Sequence, residues 1–276
     1  MSIDTSSYYP EVPSPDGRDG AYSLNNRKGG LFGDQHDPAP EPQPESKPEK
    51  TPDNSPNTHS SKDKDDDKSL GEKITDGVSN LLSWVLVPLL MPVYGLMLAF
   101  GLSILDVAPM GMRIAFTLIV AGICVFVPMV LILLLKKIGM IEDVGLNGRQ
   151  ERLVPYIITI VCFGVTAWFM AAKGAPLWLS LFFAGGALAT VICTVVNFWW
   201  KISAHAAGIA GVVALLIRIE KDGSAEPELF FWLILTLLLT GLLGSARVWL
   251  GRHTVWQVLA GYTVGFCSVF FLTMIR

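Results

Sequence analysis

The chain has 276 residues, 51% of them hydrophobic and 16% charged, with a formal net charge of −3. This slightly acidic balance lacks any basic stripe and excludes a nucleic-acid binder, because nothing in it neutralises a phosphate backbone. The averages conceal two unlike parts.

Residues 1–77 are polar and proline-rich: ten of the seventeen prolines precede Ser60, and Lys62 to Lys73 mixes acids with bases. Such a composition buries too little apolar surface to offset the entropy of ordering, so a disordered tail is expected. The N-terminus lacks the apolar core of a secretory signal, and none is expected. Residues 78–276 read as an all-α, polytopic transmembrane helical bundle. A span needs roughly 20 apolar residues. Seven stretches qualify in chain order: Leu81–Phe100, Ile114–Leu135, Val154–Ala172, Leu177–Trp200, Ile202–Ile219, Leu229–Leu250 and Val255–Ile275. Only Lys201 marks the break between the fourth and fifth. Pro88, Pro92 and Pro128 fall inside spans and are expected to kink them. The four cysteines, Cys124, Cys162, Cys193 and Cys267, also fall inside spans without metal-ligand spacing, and read as small apolar residues. No internal repeat is evident, which weighs against a secondary transporter.

If all seven spans cross, the loop after the second, the break before the fifth and the break before the seventh share one side. These three places hold nearly all the polar groups that need explaining. In the first, Arg149 and Arg152 are three apart and share a helical face. They form either an ordinary cationic loop or a two-arginine clamp, whose planar forks suit phosphate. In the second, Trp199, Trp200 and Lys201 precede Ser203, Ala204 and His205. Ser203 is placed to cap the fifth helix, and the first amides of that helix, at Ala204 and His205, make an anion site. The tryptophans read as interfacial anchors. In the third, Arg247 is followed by Gly251, Arg252, His253 and Gln257. A helix beginning near Thr254 puts His253 and Gln257 on one face, so the amide oxygen can hold one imidazole nitrogen.

A lone histidine at a helix end is more often structural than catalytic. Here, however, both histidines outside the tail, His205 and His253, fall in the same-side cluster with Arg149, Arg152 and Arg247. Ionisable groups in spans cost about 2.5–3.5 kcal/mol or more, so their clustering points to use.

The order and spacing of Ser203-Ala204-His205, then Arg247, His253 and Gln257, resemble the type 2 phosphatidic acid phosphatase superfamily, which also contains the vanadium haloperoxidases. That family carries a Lys followed after six residues by Arg-Pro, then Pro-Ser-Gly-His, then Ser-Arg with five residues to His and three more to Asp. The resemblance covers about residues 78–276. It implies that His253 is the nucleophile and His205 the general acid. Arg152, Arg247 and Ser203, with the amides near Ala204, would then hold the phosphate oxygens. The sequence departs from the pattern at several points: Gly145 stands in place of the Lys, Ile202 of the Pro, Ala204 of the Gly and Ala246 of the Ser. Leu153 follows Arg152, with Pro155 two places late. Arg149 or Lys201 is the candidate for the missing cation. Gln257 replaces the Asp: it can accept from the imidazole but adds no negative charge, for which Asp143 and Glu151 are nearby candidates.

The expected activity is hydrolysis of a phosphate or diphosphate on a membrane lipid, without metal or cofactor, through a phosphohistidine. Two alternatives are a catalytically impaired relative that binds lipid phosphates or anions, and a structural membrane protein whose cations set topology. A bacterial cytoplasmic membrane is the location the resemblance implies. The side that carries the site stays open, since arginines used for phosphate are not topology signals.

Overall fold

The computed structural model describes residues 69–139, 153–221 and 227–275. Arg149, Arg152, Gly145, Asp143 and Glu151 lie outside the described residues, as does the expected tail through residue 68.

Within these bounds every regular element is helical. The helices are α1 (Leu70–Val85), α2 (Met91–Leu102), α3 (Met110–Ala121), α4 (Val127–Lys137), α5 (Leu153–Ala172), α6 (Leu177–Asn197), α7 (Ala204–Lys221), α8 (Leu229–Trp249) and α9 (Val255–Thr273). Six stretches among the described residues are long and apolar enough to cross a membrane: Leu70–Leu102, Met110–Lys137, Leu153–Ala172, Leu177–Asn197, Leu229–Trp249 and Val255–Thr273. The protein is an all-α, multi-pass membrane bundle.

The first helix among the described residues begins at Leu70, within the stretch whose composition reads as tail. Ser69 and Glu72 form a capping box: Glu72 N–H donates to Ser69 Oγ at 3.3 Å, and Ser69 N–H to Glu72 Oε2 at 2.9 Å. Beyond it, Leu70, Ile74, Val78, Leu81 and Val85 form one exposed apolar stripe, while Ser79 and Ser83 are buried. Averaging over the charged run before it conceals that period. The expected span Leu81–Phe100 is also not one helix. Pro88 has no N–H and its ring crowds the preceding turn, so α1 stops at Val85 and a 3₁₀ turn at Pro88–Leu90 leads into α2. The Tyr94 hydroxyl donates to the Val85 carbonyl at 2.9 Å, satisfying an acceptor at the end of α1. Pro92 sits in the first turn of α2, where no donor is lost. Pro128 cannot donate to the carbonyl four residues back, and a π-helical turn at Gly122–Phe126 joins α3 to α4 just before it.

The stretch expected as the fifth span is α7, which is not among the six. Arg218, Glu220 and Lys221 in its last turn interrupt its apolar run. Even so it is the most enclosed helix: twelve of its eighteen residues are buried, the largest number in any described helix. Apolar residues on nearly every side mark a helix surrounded by others. Its charged end is accommodated by Arg218, whose Nε donates to the Thr273 carbonyl at the end of α9 at 2.7 Å. A cation there also suits the negative end of a helix dipole. The core beside α7 is aromatic and aliphatic, with Leu96, Met170, Phe182, Phe183, Leu215 and Leu216 nearly or fully enclosed. All four cysteines are free, and Cys124 Sγ lies 3.2 Å from Thr166 Oγ1 between the π-helical turn and α5.

Candidate phosphate site at the paired helix starts

Helices α7 and α9 run parallel and touch at both ends. Ser203 N–H donates to the Gln257 carbonyl at 3.2 Å at their N-terminal ends, and Arg218 meets Thr273 at the other. Two glycines four apart on α9 permit the contact. A Cβ on Gly261 would meet the Ser203 carbonyl and Ala206, and one on Gly265 would run into the Ala207 carbonyl. Small residues at this spacing let membrane helices approach to backbone distance. The approach brings Ser203-Ala204-His205 against the Arg247–Gln257 segment and puts two helix N-termini side by side. Each presents the positive end of a helix dipole.

The chain from Arg247 to Gln257 is held from residue to residue. Gly251, at φ 63°, ends α8 in the left-handed conformation. Its N–H donates to the Val248 carbonyl at 3.0 Å, and Arg252 N–H to the Arg247 carbonyl at 3.1 Å, which is a Schellman turn. His253 N–H donates to that same Arg247 carbonyl at 3.2 Å. The spacing from Arg247 to His253 is thus the length of one helix-ending turn, and it ties the two backbones together. Arg247 itself is half-buried in the last turn of α8.

Thr254 then caps α9 in a second capping box. Gln257 N–H donates to Thr254 Oγ1 at 3.4 Å, and Thr254 N–H donates to Gln257 Oε1 at 3.2 Å. The same Oε1 lies 3.2 Å from His253 Nδ1. A backbone N–H can only donate, so its partner on Gln257 must be the oxygen, which fixes the orientation of the amide. Facing an acceptor, Nδ1 must carry the hydrogen, so in the neutral ring the lone pair is on Nε2. The ring is 6% exposed. Gln257 therefore does the orienting expected of a carboxylate but adds no charge. Gln257→Glu keeps the length, and with it both hydrogen bonds, and adds the charge. We expect it to raise phosphate release by at least about tenfold, whereas Gln257→Ala lowers it by about 10². Steady-state rates of the two variants in one lipid mixture check this. Equal rates would show that the amide plays no part.

In the second segment Ser203 serves as a helix cap. Its side chain is fully buried, and its Oγ accepts from Ala206 N–H at 3.3 Å as the cap of α7. The amides of Ala204 and His205 come before the intrahelical ladder and are the donors best placed for an anion. His205 Nε2 lies 3.1 Å from the carbonyl of Ser83 on α1. A carbonyl only accepts, so Nε2 carries a proton, and any proton His205 gives to a leaving group comes from Nδ1.

Among the expected residues, His253, Gln257, Ser203, Ala204, His205 and Arg247 gather at the joined ends of α7, α8 and α9. Lys201 is half-buried in the short turn leading into Ser203. Trp199, Trp200, Trp249 and Trp256 are exposed on the segments flanking this end. An aromatic belt of that kind is what a bilayer interface selects. Sequence reasoning missed Ser83 and Asp76, both on α1. The latter accepts from Trp249 Nε1 at 2.8 Å. No local pattern points to either, whereas Thr254-x-x-Gln257 is legible as a capping box and Gly261-x-x-x-Gly265 as a close-packing pair. No protein-family description, curated protein or solved structure matches the chain.

Proposed function

We propose that this multi-pass membrane protein is a lipid phosphate or diphosphate phosphatase working through a phosphohistidine. The observation that carries the reading is the pairing of an imidazole held as its Nδ1–H tautomer with two adjacent helix N-termini, in contact through Ser203 and Gln257. Phosphate ester cleavage depends chiefly on positioning and on neutralising the equatorial oxygens. The amides opening α7 and the Arg247 guanidinium supply that neutralisation, joined by Lys201 and by Arg149 and Arg152.

His253 Nε2 attacks phosphorus and the ester bond to the lipid breaks. The departing oxygen takes a proton from His205 Nδ1. In the second step a water gives its proton back to His205 and its oxygen to phosphorus. The N–P bond breaks, inorganic phosphate leaves and His253 returns to its starting tautomer. The route closes its atom and proton count with this chain's own groups and needs no metal. The site lies at one end of a membrane bundle, so a headgroup can enter while the tail stays in lipid. The substrate class therefore includes phosphatidate, phosphatidylglycerophosphate, isoprenoid diphosphates and lipid A-type phosphates. A bacterial cytoplasmic membrane is the proposed location.

Purified full-length protein should release phosphate from at least one of these classes. No release from any, with His253→Ala indistinguishable from the unmodified protein, would end this reading. The neutral side chain at Gln257 supports a second reading, a relative that binds lipid phosphates without turning them over. Acid-sensitive, alkali-stable phosphate trapped on the protein during turnover distinguishes the first from the second.

A further inference from the structure

We infer that α1 is a positioning strap that ties the two imidazole-bearing segments together, with Asp76 as its positioning residue. This inference rests on the phosphatase reading. The strap makes a polar contact with each segment of the site. The Ser83 carbonyl receives the Nε2–H of His205 at the start of α7. Seven residues earlier, Asp76 Oδ1 receives Trp249 Nε1–H at 2.8 Å, at the start of the turn that leads from Arg247 to His253. α1 runs antiparallel to α8: Leu82, and Leu86 just past its end, pack in one cluster with Leu239 and Leu243. Seven residues of helix span roughly 10 Å, so one rigid element sets the separation of the two contact points.

The polarity of α1 fits this use. Its outward face is the apolar stripe from Leu70 to Val85, suited to lipid, while Asp76, Ser79 and Ser83 are half-buried or buried. Trp249 is 53% exposed, and Asp76 holds its indole N–H. Two groups that must grip one phosphorus centre from different helices lose rate steeply with small misplacement. A contact outside the reacting groups can therefore act on kcat.

The test uses full-length protein in lipid nanodiscs with the best phosphate-releasing lipid from the substrate screen. Asp76→Ala should lower kcat by about tenfold with KM changed by less than about twofold, the effect of losing one charge-assisted hydrogen bond. Asp76→Asn keeps an acceptor oxygen and should stay within about threefold of the unmodified protein. Trp249→Phe should lower kcat several-fold, and the double variant should be no slower than Asp76→Ala, because both changes remove the Asp76–Trp249 bond. Asp76→Ala within twofold of unmodified kcat, or losses that multiply in the double variant, would overturn the strap. If Asp76→Ala does not fold, Asp76→Asn and Trp249→Phe still decide: a Trp249→Phe enzyme at full rate overturns it. An unmodified protein that releases no phosphate fails the phosphatase reading itself, whereas an active one indifferent to these changes fails only the strap.

Discussion

His253→Ala should lower phosphate release by at least about 10⁴-fold, the scale of losing a covalent nucleophile. The ring is enclosed, its Nδ1 is committed to Gln257, and its backbone is tied to Arg247. The nearby Ser203 does not take over, since it is buried as the cap of α7. The remaining rate over water would come from the amides and cations that still hold the phosphate. A rapid quench should find phosphate bound to the unmodified protein and none on the variant. His205→Ala should lose less, about 10²–10³-fold, and lose it mainly on lipids with poor leaving groups, because a general acid helps most where the departing oxygen is basic. If His253→Ala keeps even a tenth of the rate, the attacking group is a different one and the proposed route is wrong.

Gly265→Val should be the most damaging change away from the reacting groups, destabilising the bundle by more than about 3 kcal/mol. Replacing a helical glycine adds up to about 1 kcal/mol through helix propensity alone. At position 265 that gain is overwhelmed, because the atom in the way is the Ala207 backbone carbonyl and no rotamer change relieves it. Gly241 is the matched control. It lies on α8 with nothing near its missing Cβ, so Gly241→Ala should be neutral or slightly stabilising. Thermal unfolding in detergent, read against Gly241→Ala, measures the difference. The same substitution bears on function, since pushing α9 from α7 breaks the contact between Ser203 and Gln257. A Gly265→Val protein that melts like the unmodified one would mean that the helices do not approach this closely.

Much of the candidate site was legible because its geometry is local. His253 and Gln257 are four apart, and their contact follows from helical spacing once Thr254 starts α9. Ser203 caps α7 as its side chain and position predict. The phosphate contact that the resemblance adds for Ser203 is not a matter of helix spacing: the cap uses one lone pair of its Oγ, and the O–H is a separate donor. The start of α1 is not legible in composition, which averages across the charged run before Ser69, while a capping box and a period of about 3.6 residues act over single turns.

By itself, then, the sequence determined that the chain after the tail is helical and apolar enough for a membrane, where the helices after residue 153 begin and end, and which polar groups stand at those ends. These depend on interactions within a few residues. Only the tertiary structure decided which helix lies in the middle, that α7 and α9 run parallel in backbone contact, and that α1 reaches both histidine-bearing segments. In a membrane nearly every helix face is apolar, so hydrophobicity does not say which faces meet. That choice comes from close backbone approach and from single polar contacts between distant residues. The spacing of Gly261 and Gly265 marks a face made for close packing, but only the structure shows that α7 is the helix it meets.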